Sequence, residues 1–242
     1  MEAQIIEAEH TVKVDRRTND FGFTGTADSS LNRRPCKARA NLVLVAVAAR
    51  LARARVRPNL ISVTGIFSSV ACAACLVMAP RAGAYTGAVL LIAAATLLAS
   101  RGLCNLLDGM VAIEGGMRTP TGAVFNELPE RISDIVVLIA AGYSVTPLWG
   151  PEAGWSAAVF ALLTAYVRVL GGALGRKQDF SGPMAKPQRG IVLIAACLLA
   201  AVEMALHGSE AVLAVSLILI AAGSAVTVYH RARRLCVELG SQ

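Results

Sequence analysis

The stretch that decides how this chain is read runs Asn105-Leu-Leu-Asp108-Gly109-Met-Val-Ala112, then Ile113 and eight more residues, then Gly122-Ala-Val-Phe-Asn126-Glu127-Leu-Pro-Glu130-Arg131-Ile-Ser-Asp134. Polar and acidic side chains recur here every three or four residues, in a chain otherwise built of apolar segments. Carboxylates are costly in hydrocarbon, so a regular cluster of them marks a site rather than a stretch of scaffold.

The surroundings are those of a membrane protein. The 242 residues are 55% hydrophobic and 16% charged, with a mean hydropathy of +0.59. A soluble domain would carry about 25% charged residues. Apolar stretches close to the ~20 residues needed to cross a bilayer recur along the chain. They predict six transmembrane helices, over 60–80, 84–107, 122–145, 153–174, 190–206 and 211–228. The fold class is therefore an all-α integral membrane protein. Residues 1–35 are polar, lack hydrophobic periodicity and contain no cleavable signal pattern, so they read as a disordered cytoplasmic tail. Residues 36–242 form one membrane domain.

The net charge of +7 is distributed by topology. Basic residues crowd the segment before the first span, the loop after the fourth span and the C-terminus, whereas the alternate loops hold Arg81, Glu152, Glu203 and Glu210. This bias places both termini and the second and fourth loops in the cytoplasm, at the inner membrane of the cell. With aromatics at 5%, there is no stacking platform for single strands, and nucleic acid is excluded as a partner. The six cysteines follow no disulfide-framework spacing. Residues 38–56 are interrupted by Arg39, Arg50, Arg53 and Arg55, which suits an amphipathic helix on the cytoplasmic interface better than a span. Such a helix either anchors the domain or walls one side of a cavity. Pro58-Asn59-Leu60-Ile61-Ser62 marks the start of the first span.

Helical spacing brings the decisive residues together. Arg101, Asn105, Asp108 and Ala112 share one face of the second span, and Gly122, Asn126, Glu130 and Asp134 form a stripe on the third. Read as an antiparallel hairpin, these two helices match Asp108 with Asn126, Asn105 with Glu130, and Arg101 with Asp134 in depth. The first two layers offer carboxylate and amide oxygens suited to a hard divalent cation, Mg²⁺ or Mn²⁺. Histidine is absent from the cluster and Cys104 is assigned to another face, which argues against zinc. Gly109, Ala112 and Gly122 are small, so that a ligand, or another backbone, can come close. Arg101 and Asp134, a turn deeper, form an expected ion pair that closes the floor. Arg131, Arg168, Lys186 and Arg189 are candidates for binding substrate phosphate. Positive-inside anchoring is the alternative for Arg168, Lys186 and Arg189.

The segment resembles the signature of the CDP-alcohol phosphotransferases (CDP-alcohol phosphatidyltransferases), D-x2-D-G-x2-A-R-x8-G-x3-D-x3-D, with identical spacing through Glu130. Asp108, Gly109, Ala112 and Gly122 match in identity. The first and third aspartates are Asn105 and Asn126, the fourth is Glu130, and the signature arginine is Ile113, so the resemblance is to a variant branch of the family. It covers about residues 40–230. It implies a membrane phosphatidyltransferase of phospholipid biosynthesis that moves a phosphatidyl group from CDP-diacylglycerol to a small alcohol and releases CMP. It further implies a homodimer, metal at positions 105, 108, 126 and 130, nucleotide at Asp108, Gly109, Ala112 and Gly122, and Glu130 as base. With two amides among the four positions, the expected number of ions is one or two. The alternative function is a catalytically impaired homologue that binds nucleotide-lipid or a partner without turnover.

Overall fold

In a computed structural model, residues 41–117, 121–207 and 209–241 are described. The expected cytoplasmic tail, 1–35, lies outside them. The described residues form seven α-helices and no strand: α1 Leu42–Arg53, α2 Pro58–Met78, α3 Ala84–Glu114, α4 Gly122–Gly142, α5 Gly150–Ala173, α6 Lys186–His207 and α7 Ala211–Gly240.

Local chemistry sets the ends of these helices. The Asn41 side chain accepts from the Val43 backbone N–H at 2.9 Å and caps α1. Pro58 opens α2, where its missing N–H costs nothing. The chain leaves α3 through Gly116, whose φ of +61° is open to glycine without strain. Glu203, near the end of α6, accepts the backbone N–H groups of Ala211 and Val212 at 3.1 and 3.0 Å, and so caps α7 from a neighbouring helix.

Five of these helices, α2, α3, α5, α6 and α7, are long and apolar enough to cross a membrane, which marks a multi-pass membrane protein. The expectation of six spans is met by five on this measure. The stretch expected to be the third span corresponds to α4, which is 21 residues long but carries Glu127, Glu130, Arg131 and Asp134. Within the segment expected to form an interfacial helix lies α1, which packs through Ala48 and its neighbours on Leu107, Met110 and Val111 of α3. Its outer face shows Leu42 and Val43.

The core sets small side chains among buried leucines. Ala94, Ala141, Ala157, Ala161 and Ala200 are all fully or almost fully buried, and such residues let helix backbones approach closely. The approach is tightest between α4 and α5, where a Cβ at Gly154 would sit 2.8 Å from both the Gly142 Cα and the Leu138 carbonyl oxygen. Packing is extensive between α2 and α3, α3 and α6, α5 and α7, α2 and α4, and α4 and α5. By contrast, α3 and α4 barely touch. The tight antiparallel hairpin expected for them is therefore not formed: α2 packs against both helices and holds them apart.

A polar cleft between helices three and four

That separation creates the candidate active site. A cleft opens between α3 and α4, with α2 behind it. Arg101, Cys104, Asn105 and Asp108 line it from α3, Asn126, Pro129, Glu130 and Ser133 from α4, and Ser62 and Gly65 from α2. The Asn105, Asp108, Asn126 and Glu130 side chains thus line one cleft, while Arg101 and Asp134 meet directly at 2.6 Å. Small-residue packing of α3 on α4 does not explain the segment: a Cβ placed on Gly109 would meet no atom within 4 Å. Gly109, Ala112 and Gly122 stand outside the cleft wall, towards the connecting loop.

Asp108 is buried, at 4% exposure. Its Oδ2 accepts a hydrogen bond from Ser62 Oγ at 2.7 Å, and its Oδ1 accepts one from the Gly109 N–H at 2.5 Å. Among the described residues, no cation pairs with it directly. Asn105 is half-buried and Asn126 exposed, and neither amide has a partner among the described residues.

The opposite wall is strongly cationic. Glu130 Oε2 lies 2.5 Å from Lys186 Nζ and 2.6 Å from Arg131 Nη2, while its Oε1 has no partner among the described residues. Arg131 also reaches Glu127 at 3.0 Å, and Arg168 meets the same Glu127 oxygen at 2.5 Å. Arg168 is further held by Gln178 at 2.6 Å and lies over the Phe180 ring. Below these, Asp134 is saturated: Arg101 Nη2 is 2.6 Å from Oδ1 and Arg189 Nη2 is 3.1 Å from Oδ2. Arg101 also donates to the Glu130 carbonyl at 3.0 Å. Arg189 donates to Thr164 Oγ1 at 3.2 Å and to the Met184 carbonyl at 3.0 Å.

These contacts revise several sequence expectations. Arg189, a sequence candidate for substrate phosphate, is 4% exposed and its guanidinium is held by Asp134, Thr164 and the Met184 carbonyl. Arg131 and Arg168 are likewise engaged by acids, because α4 supplies Glu127 and Glu130 one turn apart. Cys104 lines the cleft, contrary to its expected placement on another face. Ser62, which sequence reasoning treated only as part of a helix start, holds the central carboxylate. Its signal was present in the spacing of Ser62, Gly65, Ser69 and Cys72, a small polar stripe that α2 buries.

The residues offer donors suited to a divalent cation. Among the described residues, no three His, Cys, Asp or Glu side chains gather to hold a metal. Asp108 with the amide oxygens of Asn105 and Asn126 gives one carboxylate and two neutral donors. That set suits Mg²⁺ or Mn²⁺ when substrate phosphates complete the shell. Glu130 is already answered by two protein cations.

No protein-family model and no curated protein matches the chain. Solved structures do. The fold is similar to that of the Mycobacterium tuberculosis phosphatidylinositol phosphate synthase with CDP-DAG bound, at 24% identity and a TM-score of 0.64, covering 81% of this chain and 94% of that one. It is also similar to the same enzyme in complex with manganese and citrate, with a TM-score of 0.63 at 24% identity, covering 79% of this chain and 88% of that one. The apo form gives a TM-score of 0.60 at 24% identity, over 77% of this chain and 93% of that one. At this identity the likeness is one of fold.

Proposed function

We propose that this protein is a membrane phosphatidyltransferase that transfers a phosphatidyl group from CDP-diacylglycerol to a small alcohol and releases CMP. The observation that carries the reading is the cleft itself, where Asn105, Asp108, Asn126 and Glu130 converge from two helices held apart by a third. The fold it shares with an enzyme solved with CDP-DAG bound supports the same reading. So does the spacing of the signature it resembles.

Asp108, Asn105 and Asn126 would hold one Mg²⁺ or Mn²⁺, which neutralises charge on the phosphates. Ser62 and the Gly109 N–H fix both oxygens of Asp108, so the carboxylate is oriented before any ligand arrives. Glu130 Oε1 takes the proton of the acceptor hydroxyl. The alcohol oxygen then forms its bond to the lipid-linked phosphorus as the bond to CMP breaks. Lys186 and Arg131 on Oε2 hold the Glu130 carboxylate in place for that transfer. The Arg101–Asp134–Arg189 triad closes the floor.

In this reading α4 is the sixth span, its charges turned to the cleft and to partners on α3, α5 and α6. Helix α1 lies on the cytoplasmic interface, with Leu42 and Val43 towards lipid. The protein is a homodimer of the inner membrane, with termini and cleft on the cytoplasmic side. The test is CMP release from CDP-diacylglycerol over a panel of small alcohols, with Mg²⁺, with Mn²⁺ and with chelator. Release that requires the divalent ion and is lost in Asp108→Ala is expected. Failure to release CMP with every alcohol would leave the impaired homologue as the better description.

A further inference from the structure

Two serine hydroxyls line the cleft, and they differ in what holds them. Ser62 Oγ is engaged by Asp108 at 2.7 Å. Ser133, on α4, is 2% exposed and makes no hydrogen bond among the described residues. Buried hydroxyls elsewhere in these helices bond the carbonyl four residues back, as Ser69 does to Gly65 and Thr227 to Gly223. Ser133 leaves that bond unmade. Its Oγ is not among the partnerless polar atoms sealed inside the protein, so the small accessible part of the residue includes the hydroxyl, which opens on the cleft. A buried hydroxyl with no protein partner is available to one that arrives from outside.

Ser133 stands three residues after Glu130, one helical turn along the same face, and both line the cleft. Glu130 Oε1 is likewise without a partner among the described residues, because Lys186 and Arg131 both meet Oε2. Helix α4 therefore presents two free oxygens side by side. The ionised carboxylate only accepts hydrogen bonds, whereas the hydroxyl both donates and accepts. A molecule with one hydroxyl satisfies one of them. A molecule with hydroxyls on neighbouring carbons satisfies both, the first donating to Glu130 Oε1 and the second exchanging a hydrogen bond with Ser133 Oγ. An ammonium in the second position would add positive charge beside Lys186 and Arg131, which already crowd the other oxygen of Glu130. Arg101, the cation among the lining residues, is committed to Asp134 and to the Glu130 carbonyl.

We infer that Ser133 binds the acceptor beside the hydroxyl that reacts, and that the acceptor is a vicinal diol or a larger polyol. The inference rests on the phosphatidyltransferase reading for the role of Glu130. The first hydroxyl gives its proton to Glu130; the second keeps its own and fixes which oxygen of the polyol faces the base.

The test uses the full chain in lipid nanodiscs. The probes are glycerol, glycerol 3-phosphate and myo-inositol, with 1-propanol, cyclohexanol and ethanolamine as controls that lack adjacent hydroxyls. Binding is titrated by saturation-transfer NMR with the divalent ion withheld, and turnover is read as CMP release with Mn²⁺ and CDP-diacylglycerol present. At least one diol should bind more tightly than every control. Ser133→Ala should weaken that diol about three- to tenfold, the loss expected for one neutral hydrogen bond, and leave the controls unmoved. Its unfolding temperature should not fall, because the hydroxyl has no protein bond to lose. Ser133→Thr, which keeps the hydroxyl, should recover the affinity, and in turnover the loss should appear in KM for the diol. No diol binding, a control that binds as tightly as every diol, a diol affinity unmoved by Ser133→Ala, or a lower unfolding temperature with all probes weakened alike would each overturn the inference. Diol binding that depends on Ser133, but with no CMP released to any alcohol, would sink the transferase reading and leave the diol site standing.

Discussion

Ser62 and Glu130 divide the work of the cleft between holding and reacting, and each can be removed by a small change. Ser62→Ala deletes the donor to Asp108 Oδ2 while leaving helix α2 intact. Such a loss behind a metal ligand should weaken Mn²⁺ binding by about 10- to 100-fold, with recovery in Ser62→Thr, as read by Mn²⁺ titration. Glu130→Gln keeps the shape of the side chain but removes the proton acceptor. CMP release should fall by about 100-fold or more while CDP-diacylglycerol stays bound, and near-normal turnover would strip Glu130 of its role as base. At this scale the sequence was legible where chemistry is periodic. Asn105, Asp108, Asn126 and Glu130 are spaced by three or four residues, and they do share one cleft. Ser62 was not legible in that way, because it reaches Asp108 across 46 residues of chain and no local spacing announces a partner that far away.

Among the elements, the decisive fact is that α2 separates α3 from α4. Adjacent helices joined by a short loop read as a packed hairpin, and pairing their residues by depth gave the Arg101–Asp134 ion pair. It missed the gap, since apolar periodicity tells which face is buried but not which helix covers it. The Arg101–Asp134–Arg189 triad ties α3, α4 and α6 together at the floor. Asp134→Ala would leave two buried guanidiniums without their carboxylate, at a cost of about 3–5 kcal/mol, to be seen as a drop in thermal unfolding temperature or in folded yield. Farther along α4, backbone meets backbone at Gly142 and Gly154. Gly154→Ala should cost about 1–3 kcal/mol, because neither the Gly142 Cα nor the Leu138 carbonyl is the flexible end of a side chain. An unchanged unfolding temperature would mean that α5 can slide along α4.

For the molecule as a whole, composition was enough to show an all-helical membrane protein, and five long apolar helices bear that out at the coarser level. The count of spans turns on α4, whose charges hydropathy alone cannot place. The orientation can be tested with Cys236, which is exposed near the C-terminal end of α7. In a Cys36→Ser background, an impermeant thiol reagent should label it in inverted vesicles and not in sealed right-side-out ones; the reverse pattern would invert the topology. The ionic pairs of α4 also set an order of events during synthesis. Asp134 emerges 55 residues before Arg189, whereas Arg101 precedes it by 33 and Arg131 arrives almost alongside. Until α6 is made, Arg101, α4's own Arg131 and Arg168 of α5 are the cations among the described residues that balance Glu127, Glu130 and Asp134, and Lys186 and Arg189 are still missing. A nascent chain stopped before Lys186 should therefore hold α4 loosely at the bilayer, and its stable insertion awaits the arrival of a helix two spans later.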